Sequence, residues 1–291
     1  MAQNKNLFPS LPPGRYDGVT FYMRNGKLIG RRSTNVRRNP SKTLVQSATR
    51  LRWNNVQRLW NEFPQGWRPH FQNRPVGWTD YNSFMSLNMH GTPIYFTKSE
   101  VKCRASVLVP LVVSTGILGE IAVSTDNEGL LSDIKVGDFV VTPQTTVAHL
   151  SRAVMRNNRD YCQGDQLTFL VGRQEMGNGV PQVRFEFFTV VLDLLSDQLL
   201  AQAVGGRDGF EVRSGVLASR VTTGAATWVH SRIVADGERA VSSQQMWCNN
   251  GELVAQYTSL EALQRAAESY GLVTVPTLTP NPTFIDTAGR L

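Results

Sequence analysis

Histidine and cysteine are scarce in this chain: four of the first and three of the second among 291 residues. Cys103, Cys162 and Cys248 lie far apart with no Cys-x-x-Cys pair, which argues against a disulfide framework and a zinc site and points to a reducing compartment. His70, His90, His149 and His230 show none of the HxH, HxxxH or HExxH spacings that set two imidazoles on one metal. GxSxG, GxxxxGK(S/T) and GxGxxG are absent too. Gly205-Gly206-Arg207-Asp208-Gly209 reads as a tight connection, since a phosphate loop needs a parallel strand before it and a helix after it. His230 and Ser231 are strand neighbours and point to opposite faces, so they form no nucleophile–base pair. Histidines held by hydrogen bonds to a neighbour are the expectation. Asp193 and Asp197 end an apolar strand and mark its exit into solvent. No enzyme activity, cofactor or metal is expected. Long apolar runs are missing as well. The longest, 107–113 and 187–195, are short or interrupted by Pro110 and Asp193, and the first 14 residues hold no signal-peptide-like run. A soluble protein with no membrane partner is expected.

Acidic residues are missing from the whole of 31–60, a stretch rich in arginine. The formal net charge is +7, distributed unevenly: residues 1–90 hold 14 basic and 3 acidic side chains, net +11, and the remainder 16 and 20, net −4. A basic head on a mildly acidic body implies an anionic partner surface or nucleic acid. Arg31, Arg32, Arg37 and Arg38, with Arg24 and Lys27, are candidates to neutralise phosphates, which would make binding fall steeply with salt. Lys42, Arg50 and Arg52 join them as candidate contacts on a helix. No helix-turn-helix, zinc finger or RNA-binding signature accompanies these residues. Trp53, Trp60, Trp67 and Trp78 could stack bases, but their helical spacing and the adjoining loop favour core packing.

In chain order, four regions are predicted: an extended arm with a hairpin (1–38), a helical segment (39–91), a β-sandwich region (92–275) and a proline-broken tail (276–291). Asn25-Gly26 suits a type I′ turn between strands at 19–22 and 27–29. Residues 30–38 read as an arm or loop. Asn39 and Pro40 fit the cap and first position of a helix in which Leu44, Ala48, Leu51, Val56, Leu59, Trp60 and Phe63 share a face. An aromatic loop at 64–78 leads to a short helix from Asp80 to Met89 capped by Thr79. From residue 92 strands are expected at 94–96, 106–113, 118–124, 138–142, 166–171, 182–193, 210–214, 227–234, 240–247 and 253–256. A helix is expected near 145–157. Another at 259–270 has Thr258 and Glu261 in a capping box. The fold class is α+β, mainly β: a basic N-terminal arm and helical segment, then an antiparallel β-sandwich with a C-terminal helix.

Two stretches carry a family resemblance. One is NGKLIGRRSTNVRRNPSKTLVQSATRLRWNNVQRLW with YNSFMSLN after a gap; the other is WVHSRIVADGERAVSSQ with the helix QYTSLEALQRAAESYG. Both resemble an uncharacterised protein family common in Bacteroidetes bacteria and their phages, with a Gly-rich start, an N-P-x-T-x-x-Q-x-x-x-R segment and a Y-N-x-F helix. Arg38, Asn39, Pro40, Thr43, Gln46 and Arg50 match the segment, and Tyr81, Asn82 and Phe84 the helix. The resemblance implies a virion structural protein, assembled in the host cytoplasm, with no catalytic residues. A ring or connector subunit of the neck or tail is the expectation, assembling through its basic arm and termini with copies of itself and other virion proteins. The other reading is a nucleic-acid-binding protein, with DNA a possible partner, that contacts phosphates through the arm and helix.

Overall fold

In the computed structural model the described residues are 14–16, 19–24, 27–32, 44–205, 210–234 and 237–271. They fall into two units, 1–41 and 42–291. The architecture is α+β and mainly β.

The first unit is an antiparallel meander of β1 (Gly14–Tyr16), β2 (Val19–Arg24) and β3 (Lys27–Arg32). Arg24 pairs with Lys27 across the expected two-residue connection, and the ladder runs back to Val19 opposite Arg32. Gly30, Arg31 and Arg32, expected in a loop, therefore complete β3, and part of the expected arm is β1. The glycine is what lets β3 continue: a Cβ on Gly30 would lie 2.9 Å from the Phe21 ring of its register partner. The ring lies where a side chain would stand.

The second unit begins with α1 (Leu44–Glu62), whose expected cap at Asn39 and Pro40 lies outside the described residues. Leu59 and Phe63 are buried from its inward face, and the Phe63 ring stacks on Phe185 at 4.1 Å. After β4 (His70–Phe71) comes α2 (Asp80–Asn88), capped as expected by the Thr79 hydroxyl, which accepts from the Asn82 N–H. A helix the pattern did not predict, α3 (Lys98–Lys102), follows. Its capping box joins Thr97 and Glu100.

A five-stranded antiparallel sheet forms the middle of this unit. It contains β8 (Gln166–Gly177), β9 (Val180–Val191) and β12 (Gly224–Ile233), with β13 (Arg239–Val241) and β15 (Trp247–Asn249) on opposite ends of β12. Asn178 and Gly179, both at positive φ, make the two-residue turn from β8 to β9. One face packs across a core of Phe169, Trp228, Val190, Leu130, Ile134 and Leu217. Opposite lies a sheet in the order β10 (Glu211–Arg213), β11 (Val216–Ser219), β7 (Gly129–Lys135) and β6 (Val123–Asp126). The helix α4 (Val147–Asn157) and the short α5 (Leu200–Ala203) add Leu150, Val154 and Leu200 to the same core.

The other face carries a second core with Leu170, Phe185 and Val229 against Leu59, Phe63 and Phe84. Residues from β5 (Val112–Thr115) and α6 (Gly251–Thr258) join it. The expected sandwich is thus one half of the unit, and its central sheet is covered twice. That is why β8 and β12 read as continuous apolar runs.

Several expected strands are not strands. Residues 106–111 are almost wholly buried, yet their backbone is paired by side chains. Asn55 of α1 donates Nδ2 to the Val107 carbonyl (3.0 Å) and accepts the Val107 N–H (2.9 Å). Asn88 does the same for Val112, and Gln174 accepts from Leu108 N–H and donates to the Ser106 carbonyl. Pro110 has no N–H to offer. At the ends of the segment Ser106 N–H donates to the Pro181 carbonyl and the Leu111 carbonyl accepts from Met246 N–H. Between them amide side chains stand in for a neighbouring strand, and only Val112–Thr115 forms a strand, in the sheet of β14 (Gln244–Gln245), β5 and β4.

Residues 253–256 lie in α6, because Leu253 and Tyr257 meet the core at a helical four-residue step. Residues 138–142 join no sheet among the described residues, and Val140 is 71% exposed. Residues 94–96 are buried but form no strand; Tyr95 N–H donates to the Tyr257 carbonyl. Of 118–124 only the end enters β6, and 240–247 is broken among β13, β14 and β15. The strands β7 and β11 were not expected. The last helix, α7 (Leu260–Ser269), is capped by Ser259 and not by Thr258, which ends α6. The expected tail at 276–291 lies outside the described residues.

Candidate functional site

The cationic candidates are divided between the units. Arg24, Lys27, Arg31 and Arg32 belong to β2 and β3, while Arg50 and Arg52 belong to α1. Arg37, Arg38 and Lys42 lie outside the described residues. Arg52 is half-buried, with its Nε enclosed and unpartnered. The charge follows the division. Residues 1–41 hold 8 basic and 1 acidic side chain, net +7, and residues 42–291 hold 22 of each. The entire net charge of the protein sits in the small N-terminal unit.

Register then sorts that unit into two faces. Directly paired residues share a face of an antiparallel sheet, and so do residues two apart on one strand. The pairs Thr20–Arg31, Tyr22–Ile29 and Arg24–Lys27 occupy one face, where the Arg15–Thr20 pair extends the first row into β1. Val19, Phe21, Met23, Leu28 and Gly30 occupy the other, where the register also puts Arg32 opposite Val19. Tyr22, Lys27 and Arg31 are exposed on the first face; Met23 is 53% exposed on the second. Composition and charge pattern found the cations but not their sorting, since they placed Arg31 and Arg32 in a loop.

The aromatic residues of the helical segment are mainly structural. Trp67 is buried, and Trp60 packs against Tyr81 and Phe84 with the Arg68 guanidinium 5.7 Å above its ring. Trp53 and Trp78 are exposed. His70 reaches Asp80 at 3.2 Å, His149 accepts from Thr146 N–H in the α4 capping box, and His90 is exposed. Asp193 accepts from the Leu195 N–H in a local turn beyond β9.

A polar cluster that the sequence did not reveal surrounds Asp165, which is 1% exposed. One carboxylate oxygen accepts from His230 Nε2 (2.8 Å), Arg232 Nη2 (2.7 Å) and the Cys162 N–H (2.8 Å). The other accepts from Arg232 Nε at 2.6 Å. Arg232 also donates to the Asp160 carbonyl, and the Tyr161 ring stacks on His230 at 4.4 Å. Burial is the largest influence on Asp165 and raises its pKa, but Arg232, the Cys162 N–H and His230 together bring it below the usual carboxylate value. Burial lowers the pKa of His230 despite the hydrogen bond and charge of the aspartate. Burial and the nearby carboxylates of Asp133, Asp160 and Asp165 push Tyr161 up.

Beside this cluster is a cavity of about 90 Å³ lined by Tyr161, His230, Asp133 and Glu120. Ser231 points away and accepts from Arg239 Nη2. The arrangement clasps the loop after α4 to β12. Asp165 and His230 are 65 residues apart, and no spacing rule joins them. No protein-family model, curated protein or solved structure matches this chain.

Proposed function

We propose that this protein is a non-enzymatic structural subunit of a phage particle, a ring or connector component of the neck or tail that assembles with copies of itself and with other virion proteins. The observation that carries the reading is a small sheet forming a unit of its own, with Met23 53% exposed on its more apolar side. Strands of three, six and six residues make a small sheet that gains stability when its apolar side packs against another surface. Met23 stands 53% exposed beside its register partner Leu28 on that side. A neighbouring copy supplies the cover in an assembly.

Charge favours one geometry. Units of net +7 repel each other, whereas residues 42–291 are neutral overall. Contacts of one copy's N-terminal unit with another copy's body are heterologous, and heterologous contacts form a ring when the rotation between copies closes. The resemblance to a phage-associated family points the same way. The test is the mass of the full chain by light scattering. A discrete oligomer without nucleic acid is expected, and Met23→Asp should convert it to a folded monomer. A wild-type monomer at high protein concentration would overturn the assembly reading.

A further inference from the structure

We infer that the opposite face of the N-terminal sheet is a nucleic-acid site, with phosphates held by Lys27 and Arg31 and a base stacked on Tyr22. This face stands independently of the assembly reading, which uses the apolar side. Three rows of register partners build it. Arg24 and Lys27 form the first, Tyr22 and Ile29 the second, and Thr20 and Arg31 the third, with Arg15 beside Thr20 on β1. An aromatic row therefore lies between two cationic rows. Lys27 and Arg31, four residues apart on β3, are separated by about 14 Å along the strand. Tyr22 is 39% exposed, and both cations are exposed.

The chemistry that fits is a polyanion whose charges recur along a line and which carries flat rings between them. Cations on a groove or face track the backbone, and an exposed aromatic ring accepts a base of any identity. An acidic protein would satisfy the cations but gives no use to a tyrosine set between them. Backbone contact of this kind carries no sequence preference and makes affinity strongly salt-dependent. The charge partition supports the choice, because the eight basic side chains of residues 1–41 meet only one acidic one. A single strand is favoured over a duplex, since only unpaired bases can stack on Tyr22.

The test is fluorescence anisotropy of the full chain with a labelled oligothymidylate, and with a duplex of equal length, across a salt series. Wild type should bind the single strand more tightly than the duplex, with affinity falling as salt rises. Lys27→Gln with Arg31→Gln should weaken binding at least tenfold at low salt. For a single strand it should also reduce the log–log salt slope by about 1.4, roughly 0.7 for each phosphate left without its cation. Lys27→Arg with Arg31→Lys should retain affinity. Tyr22→Leu should weaken the single strand about fivefold and leave the duplex nearly unchanged. Arg156→Gln with Arg159→Gln removes the same charge from exposed positions of the body and should leave binding within twofold. Equal losses from the two double variants would overturn the assignment, as would absence of wild-type binding at low salt. Polyglutamate competing as well as the oligonucleotide would overturn it in favour of an acidic protein partner.

Discussion

Replacing Asn55 with alanine tests whether side chains carry the backbone of the buried segment at 106–111. Asn55 is 1% exposed, and its amide makes two hydrogen bonds to Val107, at 3.0 and 2.9 Å. Truncation leaves the Val107 N–H and carbonyl buried without partners. Each orphaned group costs about 1–3 kcal/mol, so the pair costs about 2–6. Alanine returns roughly 0.6 kcal/mol through better helix propensity in α1. The net loss should therefore be about 1.4–5.4 kcal/mol, a large share of the roughly 5–15 kcal/mol that stabilises a typical domain. Urea unfolding followed by tryptophan fluorescence should show a lower midpoint with an unchanged slope. Asn55→Asp should be at least as damaging, because it keeps the acceptor for the Val107 N–H but turns a carboxylate oxygen toward the Val107 carbonyl. Gln57→Ala, on the exposed side of the same helix, should change stability by less than about 0.5 kcal/mol. A loss of that small size in Asn55→Ala would refute the argument.

The cluster around Asp165 predicts acid sensitivity in two stages. His230 has a depressed folded pKa, so below the ordinary imidazole value of 6.5 the unfolded chain binds a proton that the folded chain does not, and stability falls with pH. Asp165 is also depressed, and its contribution, present above the ordinary value of 3.8, is lost as pH falls toward its folded pKa. His230→Gln should flatten the decline between pH 7 and 5 while leaving the lower one, and thermal melts across pH measure both; an unchanged slope would exclude His230 as its source. On α1, Leu51 is buried beside Tyr95, Ala262 and Ala266. Leu51→Asp should prevent soluble expression, whereas Arg52→Ala should cost less than about 1 kcal/mol by urea unfolding; equal, mild effects would contradict the amphipathic assignment of this helix.

Local rules recovered the elements whose determinants are local. Thr79 caps α2, and β2 pairs antiparallel with β3 from Arg24–Lys27 back to Val19–Arg32. Apolar spacing along α1 buries Leu59 and Phe63 in one cluster and Leu51 in another. Asn178-Gly179 is a turn dipeptide and marks the β8–β9 hairpin. Where the partner is distant, pattern misled. The run at 106–111 has strand composition, but Val107 and Leu108 hydrogen-bond to the side chains of Asn55 and Gln174, 52 and 66 residues away. Leu253 and Val254 are β-prone, yet the surface they meet accepts a helix.

The amino-acid order by itself determined the mainly β class, the helices at 44–62 and 80–88, and the excess of cations near the N-terminus, because these depend on neighbours within a few residues. Only tertiary structure decided that the central sheet has two covered faces, that Asp165 meets His230 and Arg232, and that register separates Lys27 and Arg31 from Phe21 and Met23. Burial and pairing between remote residues are settled by which surfaces pack together. A one-residue shift in strand register would exchange the two faces completely.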